Sequence, residues 1–284
     1  MKLVSFSLLD PPLGEGNIRP GFLTKDGSRV IDLNHARYFA AIQLVRVGHT
    51  GQYIDDSFPS FPMEEVRLHA PLLDPPRVFA IGLNYRDHAI ESGMAIPTTP
   101  VVFFKLPTAI IGPCEPIVLP KNSTQPDYEA ELAFVIGKGG YRIPASAWHD
   151  HVYGYTIVND VSARDVQFAS SQWSMSKSFP TFCPIGPAIV TADEIPDPHN
   201  LQISLSIDGE QLQNSNTREL VFKIPELIEY LSSITPLLPG DIVSTGTPPG
   251  VGLGRTPKRW LKPGETVTVT IEGLGSLTNP VVAE

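Results

Sequence analysis

Short apolar segments separated by turn residues run along most of the chain and limit its possible folds more than any other feature. Residues 266–271 (TVTVTI) alternate threonine with apolar side chains, which is the period of a strand with one buried face. Residues 22–33 and 203–212 each hold an Asp-Gly pair between two apolar runs, which is typical of a β-hairpin. The 284 residues include 29 prolines and 23 glycines, a composition that favours a turn-rich, mainly β architecture over a helix bundle.

Further apolar runs predict the remaining strands, and two segments predict helices. Strands are expected at 77–81, 101–104, 128–136, 153–158 and 241–244. One helix is expected at 36–47, before Gly48, and a second one follows Pro225. The second helix has one apolar stripe, formed by Leu227, Ile228, Leu231 and Ile234. Because strands dominate, these elements predict a β-rich α+β fold.

Proline-rich segments indicate a division near residue 72. Prolines cluster in residues 57–62 and 71–76, and the first hairpin and the first predicted helix precede them. We therefore expect a small N-terminal α/β domain of residues 1–72 and a larger β-rich domain of residues 73–284.

The charge of the chain restricts the classes of partner. The formal net charge is −9, which argues against a general affinity for nucleic acid or for an anionic membrane. No apolar run approaches the roughly 18 residues of a membrane span, and the first apolar run is too short for a signal peptide. The two cysteines cannot form a disulfide framework and fit a reducing compartment. We expect a cytoplasmic protein, with an organelle as the alternative location.

Two glutamates share one face of the predicted strand 128–136. Glu129 and Glu131 point the same way, and both faces of the strand continue with apolar residues. Two adjacent buried carboxylates repel each other and are costly to desolvate, so a bound cation would stabilise them. A solvated strand end fits the same pattern. Asp160 follows another apolar strand, and three carboxylates without thiolate or imidazole indicate a hard cation, with Mg²⁺ favoured and Mn²⁺ or Ca²⁺ as alternatives.

His88 and Glu91 lie three positions apart in residues 82–93, which are predicted to form a strand end followed by one or two helical turns. A carboxylate beside an imidazole fixes its tautomer and raises its basicity. Such a pair suits a general base that acts on water or on a C–H bond. Pairs of this kind are also common on solvated helix surfaces, so the residues alone leave both interpretations open.

From about Arg77 to its C-terminus, the chain resembles the fumarylacetoacetate hydrolase family. The resemblance rests on five motifs that follow the order of the family. They are GLNYRDH at 82–88, DYEAE at 127–131, NDVSARD at 159–165, KSFPTFCPIGP at 177–187 and STGTPPGVG at 244–252. The length of the N-terminal part is closest to the short-chain branch of acylpyruvate hydrolases, oxaloacetate decarboxylases and tautomerases, and ring-cleavage isomerases.

The resemblance implies a mixed β-roll fold for the catalytic domain, usually as a homodimer, and a Mg²⁺ or Mn²⁺ ion. The implied metal ligands are Glu129, Glu131 and Asp160. The implied catalytic residues are His88, Glu91 and Lys177. The residues that match substrate contacts are Arg86, Arg164, Gln167 and Thr247. The family often has Lys-Gly-Phe-Asp where this chain reads KSFP at 177–180, which changes the loop beside the lysine.

The expected substrate is a 2-oxo acid whose enolate the cation would stabilise. The main expectation is hydrolysis of a C–C bond in a 1,3-diketo acid such as an acylpyruvate, with water activated by His88 and Glu91. An oxaloacetate decarboxylase or tautomerase, or a 2-hydroxy-dienoate isomerase, is the alternative, because the same enolate forms there without attack by water. A non-catalytic metal-binding scaffold is a remote alternative, against which the presence of His88, Glu91 and Lys177 argues.

Three further features suggest sites on first inspection. The glycine-rich residues 246–254 lack the spacing of a phosphate or dinucleotide loop, so a turn that lines the substrate site is favoured. Cys183 has no basic neighbour and is interpreted as a structural thiol. His149 and His151 are interpreted as part of a solvated loop or helical turn.

Overall fold

The computed structural model describes residues 1–9, 17–52, 54, 57–91 and 95–284, without the side chains of residues 35 and 88–90. Two main sheets and four short helices make up this part of the chain. The helices are α1 (Ala41–Arg46), α2 (Arg86–Glu91), α3 (Arg164–Gln167) and α4 (Ile224–Ile234). The helices of the described ranges are all too short or too polar to cross a lipid bilayer.

A large mixed sheet forms the centre of the molecule. In spatial order it contains β4 (Ser60–Pro62), β3 (Arg29–Asp32), β2 (Arg19–Leu23), β1 (Lys2–Leu8), β14 (Cys183–Thr191), β12 (Val152–Asn159), β11 (Ala130–Ile136), β17 (Ile242–Ser244), β6 (Val78–Gly82) and β7 (Val101–Lys105). Two further strands pair at its sides, β5 (Val66–His69) with β1 and β8 (Ile110–Ile111) with β14. The β17–β6 and β14–β8 pairs are parallel and the others antiparallel, so the sheet is mixed.

The second sheet packs against the first. It contains, in order, β16 (Glu210–Asn216), β15 (Gln202–Ile207), β18 (Thr266–Ile271), β19 (Gly275–Ala283) and β9 (Ile117–Leu119). A separate two-stranded ladder pairs β10 (Pro126–Asp127) with β13 (Ser162–Ala163). The main core lies between the two sheets, because the apolar residues of β11 and β12 contact those of β15 and β18. The β-rich α+β fold is therefore confirmed.

Helix α3 was not predicted from the sequence, and the two helices predicted at 36–47 and after Pro225 each differ from expectation in one respect. The first is shorter than expected, because Arg37 has a left-handed backbone (φ 65°) that separates a 3-10 turn from α1. In α4, Leu227, Ile228 and Leu231 are buried as predicted. The last residue of the predicted stripe, Ile234, is 65% exposed, because it lies at the helix end beyond the core.

The N-terminal strands continue the large sheet. β1 pairs with β14, with Leu3 opposite Ile189, and β2, β3 and β4 extend the sheet from there. A smaller core of their apolar residues, including Leu3 and Phe22, joins residues of β14. The boundary near residue 72 stays a prediction.

Candidate metal centre and active site

Two adjacent antiparallel strands bring three carboxylates to one end of the large sheet. Glu131 pairs with Val158, so Glu131 and the preceding Glu129 lie beside Asp160, which follows β12. One carboxylate oxygen from each of the three acids lies within 4.8 Å of the others, and all three side chains are buried. The structure thus brings together the three ligands predicted from the sequence, and this cluster could hold a metal ion.

The charges around the cluster favour a cation. Burial and the negative charges of Asp160 and Glu129 raise the pKa of Glu131 well above its ordinary value. The Glu131 carboxylate accepts hydrogen bonds from the Ser244 hydroxyl at 2.6 Å and from the Gly246 amide at 3.0 Å. The donor set consists of oxygen atoms alone, and its negative charge is incompletely balanced at Glu131. A hard divalent cation fits both properties.

Lys177 contacts two of the three acids. Its ammonium donates to Glu129 Oε2 at 2.5 Å and to Asp160 Oδ2 at 2.8 Å. Burial disfavours the charged lysine, but Asp160 and Glu129 outweigh burial and raise the pKa of Lys177. The predicted catalytic lysine is therefore a protonated donor at the cluster.

A second buried lysine, Lys105, was not predicted from the sequence. Its ammonium donates to Asp160 Oδ1 at 2.6 Å and to the carbonyl oxygens of Val161 and Lys177. Lys105 is 1% exposed. Because it binds both Asp160 and the backbone of Lys177, it fixes their relative position.

Arg164 forms ion pairs on the side of the cluster where Glu129 lies. From α3 it donates to Asp127 at 2.8 Å, to Glu129 at 2.6 Å and to the side-chain oxygen of Gln167 at 2.8 Å. Burial raises the pKa of Glu129, but Arg164 and Lys177 outweigh it and lower that pKa strongly. Glu129 is therefore kept ionised, whereas the raised pKa of Glu131 disfavours its charged form until a cation binds.

A cavity of about 370 Å³ opens above the carboxylates. The buried polar residues that line it are Glu129, Glu131, Arg164, Gln167, Lys177 and Thr247. Its apolar wall includes Ile81, Leu83, Phe103, Phe168, Trp173 and Val251. The Thr247 hydroxyl oxygen accepts a hydrogen bond from Gln213 at 2.9 Å, so its own proton can be donated to a ligand. The glycine-rich turn at 246–254 lines this cavity, as predicted.

Helix α2 lies at the mouth of the cavity. Glu91 lines the cavity and accepts a hydrogen bond from the Gly250 amide at 3.0 Å. The side chain of His88 lies outside the described part of the structure, so the His88–Glu91 pair stays a prediction. Arg86 is exposed and is not among the residues that line the cavity. Arg86 precedes Glu91 by five helix positions, which turns it about 140° away from Glu91.

Cys183 and His149 agree with their structural interpretations, whereas His151 is buried and not solvated as expected. Cys183 is buried in the core, and burial raises the pKa of its thiol to about 12. His149 lies in the 3-10 helix Ala145–Asp150, and His151 follows it with its ring nitrogen 2.6 Å from the carbonyl oxygen of Lys138. No described His lies in the carboxylate cluster.

Comparisons with known proteins identify a family and several relatives of similar structure. Residues 77–282 match the family described as fumarylacetoacetate (FAA) hydrolase C-terminal. A mitochondrial oxaloacetate tautomerase of Xenopus laevis is 42% identical over 292 residues, covering 99% of this chain and 90% of the relative. A fumarylacetoacetate hydrolase from Exiguobacterium antarcticum has a similar structure (TM-score 0.89, 35% identity, 100% of both chains). A 2-hydroxyhepta-2,4-diene-1,7-dioate isomerase from Mycobacterium marinum also has a similar structure (TM-score 0.80, 34% identity, 100% of this chain and 99% of the other).

Proposed function

Because the chain belongs to the fumarylacetoacetate (FAA) hydrolase family, we propose that it is a metal-dependent tautomerase of 2-oxo acids of the oxaloacetate type. The observation that carries this proposal is the buried triad of Glu129, Glu131 and Asp160, of which Glu129 and Glu131 line a ligand-sized cavity. The 42% identity to an oxaloacetate tautomerase over nearly the whole chain supports the choice of reaction.

Glu129, Glu131 and Asp160 would hold the ion, and their oxygen-only donor set suits Mg²⁺ or Mn²⁺, with Ca²⁺ as a weaker alternative. A bound divalent cation would lower the free energy of negative charge that develops on the keto oxygen of the substrate. Because the cavity also contains apolar side chains, that charge would develop in a partly dehydrated site, where electrostatic stabilisation is stronger than in water.

Tautomerisation breaks one C–H bond at C3 and forms one O–H bond at the 2-oxygen, or the reverse. Lys177 is held protonated by Asp160 and Glu129, so its role is to donate a hydrogen bond to an anionic oxygen of the substrate. Thr247 can donate its hydroxyl proton to the same ligand, because the Thr247 oxygen already accepts from Gln213.

The proton at C3 requires a base on the other side of the ligand. We assign it to His88 and Glu91 on α2, with His88 as the base. Glu91 lines the mouth of the cavity and is held there by the Gly250 amide. A carboxylate beside the imidazole would raise its basicity and fix its tautomer.

The predicted substrate contacts differ in how directly they can act. The guanidinium of Arg164 already binds Asp127, Glu129 and the oxygen of Gln167, so Arg164 chiefly positions Glu129. The side-chain NH₂ of Gln167 remains able to donate to a substrate oxygen. Arg86 is exposed and does not line the cavity, so a substrate contact by Arg86 stays a prediction.

Isomerisation of a 2-hydroxy dienoic diacid is the second candidate. The similarity to the Mycobacterium marinum isomerase supports it, and that reaction also relocates a proton beside a 2-oxygen. Hydrolysis of an acylpyruvate, the main expectation from the sequence, is less well supported than tautomerisation, since a sequence relative that covers 99% of the chain is an oxaloacetate tautomerase. The named enzymes among the relatives argue against a non-catalytic scaffold.

The assay follows the ultraviolet absorbance of enol-oxaloacetate, and pyruvate release measures decarboxylation in the same sample. We expect metal-stripped protein to regain tautomerase activity with Mg²⁺ or Mn²⁺. Acylpyruvate cleavage and dienoate isomerisation are measured in parallel. Faster acylpyruvate cleavage than oxaloacetate tautomerisation would contradict the proposal and restore the hydrolase interpretation.

We also propose that the protein is a homodimer that uses the edge strand β7. Phe104 and Leu106 at this edge are 42% and 47% exposed, and Met175 on the adjoining segment is 69% exposed. The amides of Phe104 and Leu106 bind the side chains of Ser174 and Ser178, so the three apolar residues lie on one surface. The cytoplasmic location stays a prediction, and the mitochondrial relative supports the organellar alternative.

A further inference from the structure

The mouth of the cavity carries a lysine, Lys258, that lies outside the family motifs and has no role in the proposed proton transfer. Lys258 lines the same cavity as Glu129 and Glu131. Its ammonium donates to the carbonyl of Leu253, which also lines that cavity. The exposed lysine is therefore held along the cavity wall, where a ligand can contact it.

The other cations that line the cavity already bind carboxylates. Arg164 donates to Asp127 and Glu129, and Lys177 donates to Glu129 and Asp160. Within the described ranges, Lys258 forms no ion pair, and the carbonyl of Leu253 is its hydrogen-bond partner. A flexible ammonium with one backbone partner can exchange it for an anionic ligand at low cost.

The arginines on either side of Lys258, Arg255 and Arg259, hold residues 255–259 in place. Arg255 donates to the carbonyls of Gly250 and Leu212, which fastens the loop to β16. Arg259 binds Glu265 at 2.7 Å. Because these two guanidinium groups hold the segment, the loop does not need the charge of Lys258 to keep its conformation.

The distribution of charge in the cavity indicates what Lys258 can bind. The inner carboxylates are balanced by buried cations and by the proposed metal ion, but a ligand with a second carboxylate would extend toward the mouth. Glu91 lies there and would repel that group. Lys258 offsets this repulsion and offers the distal carboxylate a charged donor.

We propose that Lys258 binds the second carboxylate of a 2-oxo dicarboxylic acid whose 2-oxo acid end lies at the Glu129–Glu131–Asp160 cluster. This inference rests on the proposed function and narrows its substrates to small dicarboxylates. The cavity of about 370 Å³ lies within the range of ligand pockets, roughly 300–1,000 Å³, and has room for a small diacid.

The test compares oxaloacetate, which has a distal carboxylate, with oxalate, which has the chelating oxygens alone. In Lys258→Ala we expect the KM for oxaloacetate to rise about tenfold, because one charge-assisted hydrogen bond to the substrate is lost. The kcat should stay within about twofold of wild type. The inhibition constant of oxalate should not change. Lys258→Arg should keep most of the affinity, and Lys262→Ala, which removes a nearby exposed lysine outside the cavity, is the matched control.

Direct binding of oxaloacetate and oxalate, measured by calorimetry with Mg²⁺ present, separates this inference from the proposed function. If wild type binds both ligands without tautomerising oxaloacetate, and Lys258→Ala weakens only oxaloacetate, the tautomerase proposal fails and the role of Lys258 stands. If oxaloacetate is tautomerised with the same KM in both proteins, the role of Lys258 is wrong. An equal loss of oxalate and oxaloacetate binding would also overturn it, because the lysine would then act on the inner end of the cavity.

Discussion

The floor and the rim of the cavity are built in opposite ways. The floor, formed by Glu129, Glu131, Asp160 and Lys177, is buried and joined by hydrogen bonds to neighbouring strands and side chains. The rim, formed by Glu91 and Lys258, is exposed and lies on a short helix and a loop. A rigid floor suits the chemistry of a 2-oxo acid, whereas an exposed rim can change and select the rest of the substrate.

The contrast is also energetic. Buried charges are tolerated only when every partner is present, so the loss of one floor residue leaves an uncompensated charge. An exposed charge at the rim contributes little to stability, because water screens it. Floor variants should therefore lose activity, and often stability, whereas rim variants should change kinetics in a folded protein.

The largest effect is expected at the centre of the floor. Glu131→Ala should lower activity by at least about 10³-fold and abolish Mn²⁺ binding, because it removes one of the three ligands. Turnover assays and calorimetry with Mn²⁺ measure both quantities. Glu210→Ala, on an exposed hairpin, is the control and should match wild type. Activity that persists in a metal-stripped Glu131→Ala protein would refute the metal-dependent floor.

The next effect is expected at Lys177. Lys177→Met should lower kcat about 10²- to 10³-fold, because the loss of one hydrogen-bond donor to a developing oxyanion has an effect of this size. It should also lower the free energy of unfolding by about 3–5 kcal/mol, because Glu129 and Asp160 lose a buried partner. Denaturant unfolding and steady-state kinetics measure the two effects. A loss of stability with normal kcat would make Lys177 a purely structural residue.

At the rim, His88→Ala should separate proton transfer from metal binding. We expect kcat to fall about 10²-fold, as for loss of a general base, while the Mn²⁺ affinity stays within about twofold of wild type. Glu91→Gln should reduce kcat less, because the imidazole remains. If Mn²⁺ affinity collapses in His88→Ala, the histidine is a metal ligand and the distinction between floor and rim is wrong.

The smallest effect on turnover is expected far from both regions, at the edge strand β7. Phe104→Lys should convert the proposed dimer to a monomer in light scattering, because it places a charge on the exposed apolar edge. Turnover should change by less than about twofold, because the Phe104 side chain does not line the cavity. A wild-type monomer, or a variant that remains dimeric, would remove β7 from the interface.

The three acids of the floor could be proposed from the sequence because their signal is local, whereas Lys177 was implied by the family resemblance alone. Strand alternation places Glu129 and Glu131 on one face, and Asp160 directly follows an apolar strand. The convergence of these two segments then requires only that the strands pair, as β11 and β12 do.

Long-range contacts could not be predicted, because the residues around each partner in the sequence do not indicate the other partner. Lys105 ends an apolar strand, where a lysine usually extends its ammonium into water, and its partner Asp160 lies 55 positions away. The pairing of Lys2 with Val190 joins residues that are much farther apart along the chain. At the rim, the resemblance implies that Arg86 contacts the substrate; Arg86 is exposed and does not line the cavity, so its role stays a prediction.

The most direct test of the account is a crystal structure of the protein with Mn²⁺ and oxalate. We expect an anomalous scattering peak bound by carboxylate oxygens of Glu129, Glu131 and Asp160 and by two oxalate oxygens. A peak elsewhere, or oxalate held without an ion between these three acids, would contradict it.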